Sequence, residues 1–141
     1  MSLRVELVVP DGEIWSGRAR MVIAKTLEGD VGILTSHPSV LGLLAEGSVI
    51  RILDPEQGQA GAVDAAQAAG EVRAAVSSGF LSVHDDRVSI LAREAELGSQ
   101  VDRAAVRAEL DASVTEVGPG EEEPAEVKYS RARLRAAGDG S

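Results

Sequence analysis

The chain has 141 residues, a formal net charge of −9 and a pI near 4.7, which argues against nucleic acid or an anionic lipid surface as a partner. Hydrophobic residues make up 44% of the sequence, enough for one domain with a core and at most a small appendage. The absence of cysteine excludes disulfides, thiolate metal sites and cysteine catalysis. The sequence shows no secretory signal and no membrane-spanning apolar run, so we expect no direct membrane insertion.

The first two thirds of the chain have the pattern of short β-strands. Residues 3–9 alternate apolar and charged side chains with period two. Gly17 interrupts the second strand and predicts a bulge there, after which the strand resumes to Lys25 with Ala19, Met21 and Ile23 expected on one side. Further strands are predicted at residues 49–53, 72–76, 79–84 and 87–92. Short strands at this spacing predict an antiparallel sandwich or barrel over residues 1–92.

Residues 28–44 form the stretch around which the rest of the chain is organised. The stretch is strongly apolar but contains four residues that disfavour a helix, namely Gly29, Gly32, Pro38 and Gly42. We interpret it as a loop that lies on the strand scaffold and displays binding residues. Glu28 and Asp30 make its start acidic, and His37 lies at its centre. His37 is interpreted as an interface contact, the alternative being a loop histidine bonded to backbone.

Residues 54–71 are small, polar and repetitive, with few side chains to bury. They predict an extended, mobile hairpin loop between two strands. The alanine-rich part could instead form one helical turn.

From Arg93 the period changes and predicts a helical hairpin over residues 93–141. Asp102 is expected to cap a first helix that ends near Val117. Its apolar stripes are Val106, Leu110, Val114 and Val117, with Val101, Ala105, Ala108 and Ala112 beside them. The acidic linker 118–124 ends that helix and starts a second one, whose thin apolar line is Val127, Leu134 and Ala137. The second helix therefore needs a packing partner to stay folded.

The charge of this helical region is uneven. Acidic residues outnumber basic ones from Val101 to Glu123, whereas bases prevail after Pro124. The last helix carries Arg131, Arg133 and Arg135, so it is where this acidic protein could bind an acidic partner. The alternative is that the three arginines form an ordinary solvated face.

No constellation for catalysis or metal binding is readable. His37 and His84 are the only histidines, and neither has the spacing of a metal site. There is no nucleophile elbow and no phosphate-binding loop. Trp15 is interpreted as core or subunit-contact packing rather than a ligand-stacking residue. We therefore expect no catalytic residues, no metal and no enzyme activity of the chain itself.

Three separate segments, in order and spacing, resemble the epsilon subunit of the F-type ATP synthase. The segments are residues 8–17 (VVPDGEIWSG), residues 28–41 (EGDVGILTSHPSVL) and residues 77–92 (SSGFLSVHDDRVSILA). The resemblance covers most of residues 3–117 apart from 54–71, which looks like an insertion. It implies an N-terminal β-sandwich of about ten strands and a C-terminal α-helical hairpin.

The resemblance implies a non-catalytic rotor subunit that couples proton flow through the c-ring to ATP synthesis and inhibits ATP hydrolysis through its helices. The expected partners are the gamma subunit, the c-ring and the catalytic alpha and beta subunits, at the cytoplasmic face of the cell membrane. The c-ring contact would fall on Glu28, Asp30 and His37. The contact with the catalytic head would fall on Arg131, Arg133 and Arg135.

Some members of the family bind ATP through an apolar-Asp-x-x-Arg-Ala motif on the first helix. Val101 and Asp102 match its start, but Ala105 and Val106 stand where Arg and Ala are expected. We therefore expect no cofactor. The rival interpretation of the whole chain is a free-standing sandwich that binds a protein or ligand, with the helices as a dimerisation arm, and an enzyme ranks third.

Overall fold

The computed structural model describes residues 2–55, 70–114, 120 and 122–138. These residues contain ten β-strands, a short 3-10 turn at Gly98–Gln100 and two α-helices. The strands are β1 Leu3–Val9, β2 Gly12–Ala19, β3 Met21–Thr26, β4 Gly29–Ile33, β5 Val40–Leu43, β6 Ser48–Leu53, β7 Glu71–Val76, β8 Gly79–His84, β9 Arg87–Ala92 and β10 Ala95–Leu97. The helices are α1 Arg103–Val114 and α2 Ala125–Ala136.

The strands form two five-stranded sheets that face each other as a sandwich. The first sheet has the order β2-β1-β9-β8-β5, and the second has the order β10-β7-β6-β3-β4. Neighbouring strands are antiparallel, except for β1 and β9, which run parallel. The predicted β-sandwich followed by a helical hairpin is therefore confirmed.

The alternation predicted from the sequence builds the core between the sheets. In β1, Leu3, Val5 and Leu7 are fully buried, while Arg4 points outward. Trp15 from β2 joins this core and is 2% exposed. Aliphatic side chains make up nearly all the rest, so the sandwich is stabilised chiefly by removal of Leu, Ile and Val side chains from water.

The interpretation of residues 28–44 as one loop is wrong. Gly29–Ile33 is strand β4 at the edge of the second sheet, and Val40–Leu43 is strand β5 at the edge of the first. An edge strand tolerates glycine because only one neighbour depends on its pairing, and the glycines were misread as loop signals. The irregular part of the stretch is limited to residues 34–39, which cross from one sheet to the other.

Two further details of the strand predictions are corrected. Gly17 pairs in register with Val5, and the irregularity lies at Ile14, between the pairs Leu7–Trp15 and Val8–Glu13. Ala19 is buried, but in β3 the buried residues are Val22 and Ala24, so Met21 and Ile23 do not lie on the same side as Ala19, as was expected. Strand β2 ends at Ala19 and β3 begins at Met21. Because Arg20 lies between the two strands, the alternation of buried and outward-facing side chains does not continue from β2 into β3.

One strand lies beyond the predicted limit of the strand region. Ala95–Leu97 pairs with β7 through three residues, and Leu97 is buried in the sandwich core. The strand is too short for its alternation to be visible in the sequence. Of the predicted insertion at residues 54–71, the part from 56 to 69 lies outside the described residues.

The helical hairpin follows the predicted capping pattern. The carboxylate of Asp102 accepts a hydrogen bond from the amide of Ala105 at 3.1 Å and so caps α1. Val106 and Leu110 are buried against Val127 and Leu134 of α2. The small stripe at Ala105, Ala108 and Ala112 is exposed, contrary to its expected packing role. The expected end of α1 near Val117 lies outside the described residues.

Helix α2 packs on the outer face of the second sheet. Ala132 and Ala136 cover Ala75 of β7, with Val49 and Tyr129 at the border of the contact. Ala75 points out of the sandwich and is nonetheless fully buried, because the helix covers it. The small side chains at this contact let the helix approach the sheet closely, so the hairpin is docked against the sandwich.

Candidate partner-binding surfaces

The outer face of the first sheet carries an exposed apolar row. Leu43, Phe80, Leu91 and Val8 lie in register across β5, β8, β9 and β1. Leu43 is 60% exposed, Phe80 40% and Leu91 39%, although each is a large apolar side chain. These four residues are called the apolar row below. A contiguous patch of this kind on a sheet face is typical of a surface that another protein covers.

The apolar row borders a groove of about 1060 Å³. Its walls also include Leu27, which is 67% exposed, and two residues around the start of α2, Glu122 and Lys128. Lys128 Nζ lies 2.9 Å from Glu122 and 3.7 Å from Glu46, which ties the hairpin to this edge of the sandwich. A partner seated on the apolar row would therefore also contact the hairpin.

Polar side chains replace apolar ones toward the other end of the same sheet face. The next row contains Ser82, Ser89 and Glu6, with the exposed Leu41 of edge strand β5 beside Ser82, and Ser89 donates a hydrogen bond to Glu6 at 3.2 Å. The last row crosses four neighbouring strands and is basic. Its members, called the basic row below, are His84, Arg87, Arg4 and Arg18. The outer face thus changes from apolar to basic along the strands.

The three residues predicted to contact the c-ring are divided between two places. Glu28 and Asp30 flank Gly29 at the tip of the β3–β4 hairpin, and both are exposed. His37 lies in the loop after β4, at the opposite end of that strand, with its Nδ1 2.7 Å from the carbonyl oxygen of Pro38. The amide of Ser36 donates to the Asp86 carboxylate and fixes this loop beside the β8–β9 turn.

The first predicted head-contact residue, Arg131, pairs with the linker before its own helix. Its Nη2 lies 2.6 Å from Glu123 Oε2, and its Nε donates to both carboxylate oxygens at 3.0 Å. This hydrogen bonding holds the pKa of Glu123 below its ordinary value. The pair fixes the entry of the chain into α2.

The second, Arg133, joins the hairpin to the sandwich. Its Nε donates to Glu96 of β10 at 2.6 Å, and its Nη1 lies 3.4 Å from Glu109 of α1. Its guanidinium also lies 5.6 Å from the centre of the Tyr129 ring. Burial at this contact raises the pKa of Tyr129 to about 12. One arginine thus links α1, α2 and β10.

The third, Arg135, binds a turn of the sandwich where the backbones approach closely. Its Nη2 donates to the carbonyl oxygen of Gly47 at 2.9 Å. A side chain at Gly47 would overlap the backbone of Lys128, and one at Gly98 would overlap the carbonyl of Ala136. Glycine at these two positions is therefore what allows α2 to dock. All three arginines contact groups of this chain in the docked hairpin.

Several residues of these surfaces were missed from the sequence. Glu96 and Glu109 lie 37 and 24 positions before Arg133, and nothing local indicates such pairs. Phe80 carried a readable signal, because it falls on the outward phase of a strand whose Leu81 and Val83 are buried. A large aromatic on the solvent phase of a strand indicates a contact surface.

The described ranges contain no cluster of three or more side chains suited to metal binding. In the same part of the chain, neither helix has the length and apolar character required to cross a membrane. The surface features are those of a protein that binds other proteins: an apolar row, charged rows and a docked helical hairpin.

The fold and surfaces together define a ten-stranded β-sandwich with a docked two-helix arm. A family model described as the beta-sandwich domain of the ATP synthase delta/epsilon chain matches residues 2–98. The chain belongs to this ATP synthase delta/epsilon chain family, as its sequence resemblance predicted.

Curated relatives agree with this assignment. An ATP synthase epsilon chain of Thermobifida fusca is 48% identical over 136 residues, covering 96% of this chain and 91% of the relative. That of Streptomyces coelicolor is 38% identical, with 96% and 94% covered. The epsilon chain of Frankia casuarinae is 41% identical over 97 residues, which is 69% of this chain but 99% of that relative. The Frankia relative therefore has about the length of the sandwich alone.

Two solved assemblies contain chains of the same fold. A chain in the Euglena gracilis mitochondrial ATP synthase structure of OSCP, F1 and c-ring aligns with a TM-score of 0.64 at 19% identity, covering 98% of this chain and 78% of that one. A chain in the Tetrahymena thermophila mitochondrial ATP synthase central stalk and c-ring structure aligns with a TM-score of 0.53 at 20% identity, covering 97% and 91%. At these identities the likeness concerns the fold.

Proposed function

We propose that this chain is a non-catalytic rotor subunit of a proton-translocating F-type ATP synthase, held in the central stalk by its β-sandwich. The apolar row is the observation that carries the proposal, because Leu43, Phe80 and Leu91 are exposed in line on one sheet face. On the second sheet, by contrast, α2 packs over strands β6, β7 and β10. The relatives named ATP synthase epsilon chain and the two central-stalk assemblies support the same assignment.

The gamma subunit is the partner proposed for the apolar row. A patch with a wide groove beside it suits a long, partly apolar surface rather than a small polar ligand. Large apolar and aromatic side chains at the centre of an interface carry most of its binding free energy. Phe80 and Leu43 are therefore the expected anchors of the gamma contact.

The c-ring contact is proposed at the tip of the β3–β4 hairpin. Glu28 and Asp30 present exposed carboxylates there, which suits a polar loop of the ring. His37 lies at the other end of β4 and contributes to the same contact only if the ring partner extends along that strand. Because the chain reaches the membrane through these partners, its proposed location is the cytoplasmic face of the cell membrane, without direct insertion or nucleic-acid binding.

The helical hairpin is proposed to inhibit ATP hydrolysis when it leaves the sandwich. In the docked form Arg131, Arg133 and Arg135 are occupied by Glu123, Glu96 and the Gly47 carbonyl. Release of α2 from the sheet would free Arg133 and Arg135 for an acidic segment of the catalytic alpha and beta subunits. The docked hairpin is thus the non-inhibitory form, and no catalytic residue or bound ATP is needed for the switch.

The test introduces a charge into the apolar row of the full chain. Phe80→Asp should weaken binding to the gamma subunit by at least about thirtyfold, equivalent to about 2 kcal/mol, because a carboxylate would be desolvated at the interface centre. Binding is measured by titration of the isolated gamma subunit with the labelled chain. The fold should persist, since Phe80 is 40% exposed.

Leu34→Asp is the matched control, because Leu34 is 47% exposed but lies in the loop at residues 34–39, away from the apolar row. It should bind like the unsubstituted chain. If Phe80→Asp also binds like the unsubstituted chain, the apolar row is not the rotor contact. If the unsubstituted chain itself does not bind the gamma subunit, the rotor assignment fails.

A further inference from the structure

The basic row on the first sheet lies where the apolar row gives way to charge. Arg4 on β1 faces Arg18 on β2 and Arg87 on β9, and His84 on β8 faces Arg87. All four side chains are on the outward phase, because their neighbours Leu3, Val5, Val88 and Val83 are buried. Like charges placed directly opposite on a sheet destabilise it. A chain with a net charge of −9 has carboxylates in excess, yet this row is positive.

Two of these arginines, Arg4 and Arg87, form no ion pair within the described part of the chain. Across the described residues, no Asp or Glu oxygen lies within ion-pair distance of Arg4 or Arg87. Asp85 lies 3.1 Å from His84 and lines the same small pocket as Arg87, and Glu6 in the adjacent row accepts a hydrogen bond from Ser89. Among the residues that the structure describes, neither carboxylate forms an ion pair with Arg4 or Arg87, so the repulsion between these two arginines is not relieved there by an ion pair.

A second pair of facing arginines in the same molecule shows how such repulsion is relieved. Arg51 and Arg73 face each other on the second sheet. Glu71 bonds both, at 2.5 Å to Arg51 and 3.2 Å to Arg73. Partial burial acts to raise the pKa of Glu71, but the two arginines outweigh it and lower the pKa. Arg4 and Arg87 also face each other, across a parallel pair of strands, but no carboxylate of the described residues bridges them.

We propose that the missing carboxylates come from the partner that covers the apolar row, so that the basic row binds an acidic segment of the same protein. This inference rests on the proposed function, because it assigns both rows of one sheet face to one partner. Arginine fits a carboxylate with two parallel hydrogen bonds, which gives such a contact direction as well as attraction. The apolar row then anchors the partner, and the basic row sets its orientation.

The sheet fixes the spacing that the partner must have. Phe80 and His84 are four residues apart on β8, which is about 13 Å along a strand. A partner helix lying along the strands covers that distance in about nine residues. The partner should therefore carry acidic side chains about nine helical residues from the apolar side chains that contact Phe80.

The experiment compares two double substitutions in the full chain. Arg4→Gln with Arg87→Gln should weaken binding to the isolated gamma subunit about tenfold at low salt and make binding less dependent on salt. The melting temperature of the free variant should stay equal or rise, because the repulsion between facing arginines is relieved. A purely structural role for these arginines predicts the opposite change in melting temperature.

Arg51→Gln with Arg73→Gln is the matched control, since it removes the same charge from a facing pair on the other sheet, which Glu71 bridges. It should leave gamma binding unchanged. If the Arg4 and Arg87 variant binds gamma as well as the control while Phe80→Asp still fails to bind, the inference is wrong and the proposed function stands. Binding of the Arg4 and Arg87 variant to phosphatidylglycerol vesicles is measured beside gamma binding. If the variant loses vesicle binding while its gamma binding is unchanged, the inference is overturned in favour of a lipid contact.

Discussion

At the scale of single residues, two glycines decide whether the hairpin can lie against the sandwich. Gly98 approaches the carbonyl of Ala136 so closely that no side chain fits between them, and its backbone conformation is one that alanine adopts readily. The effect of a side chain there is therefore purely steric and falls on the contact with α2. Tyr129, the only tyrosine of the chain, lies in the same contact and reports on it.

Gly98→Ala should loosen the docked hairpin by about 1–3 kcal/mol, the usual cost of overpacking, and leave the sandwich folded. In the docked form the pKa of Tyr129 is raised from 10.0 to about 12 by burial. The tyrosine therefore stabilises docking below pH 10, and that contribution is lost as the pH rises toward 12. In the variant, alkaline titration of tyrosine absorbance should give a midpoint closer to 10.0.

Gly42→Ala is the control for this substitution, because a side chain at Gly42 meets Thr26 at an ordinary 3.5 Å. Its tyrosine titration should match that of the unsubstituted chain. An unchanged midpoint in Gly98→Ala would mean that the close approach does not hold the hairpin.

At the scale of elements, α2 is held to the sandwich by small side chains, by the ionic cluster around Arg133, and by the contacts of Lys128 with Glu46 and of Arg135 with the Gly47 carbonyl. Ala132 and Ala136 give close packing on β7 but little buried area. Arg133 adds the pair with Glu96, whose side chains are 21% and 28% exposed and so are partly shielded from solvent. Contacts of this kind, mainly small side chains and partly exposed polar groups, can be broken without disrupting the sandwich core, as the proposed release of the helix requires.

Glu96→Gln should therefore weaken docking by about 1–2 kcal/mol, because Arg133 loses its charged acceptor while remaining partly buried. Amide hydrogen exchange in α2 should become faster, and exchange in the first sheet should not change. Glu109→Gln is the milder comparison, since that carboxylate is 63% exposed and lies 3.4 Å from Arg133. If amide hydrogen exchange in α2 is equally fast in the two variants, Glu96 does not contribute to docking.

At the scale of the whole molecule, the sandwich and the hairpin have different packing. The sandwich has one aliphatic core that includes Trp15 and strands of both sheets, whereas the hairpin has a small cluster of its own around Val106 and Leu134. The two packing clusters share no residue, so release of the hairpin, as proposed, would leave the core of the sandwich intact.

Much of this architecture was readable from the sequence because it depends on local patterns. Alternation predicted β1 and the β8–β9 hairpin, and Asp102 predicted the start of α1. Edge strand β4 was misread because glycine signals a loop when its neighbours in space are unknown. The ionic contacts of Arg133 and Arg135 were not predictable, since their partners are distant in sequence and are brought together only by docking.

The central claim is that the hairpin is an inhibitory arm, inactive when docked and active when released. The most direct measurement is ATP hydrolysis by the ATP synthase head reconstituted with three chains: the full chain, the full chain with Gly98→Ala, and a chain stopped after Gly98. The account predicts the fastest hydrolysis with the shortened chain and the slowest with Gly98→Ala, whose hairpin is released more often. Equal hydrolysis with all three chains, each bound to the gamma subunit, would contradict the claim.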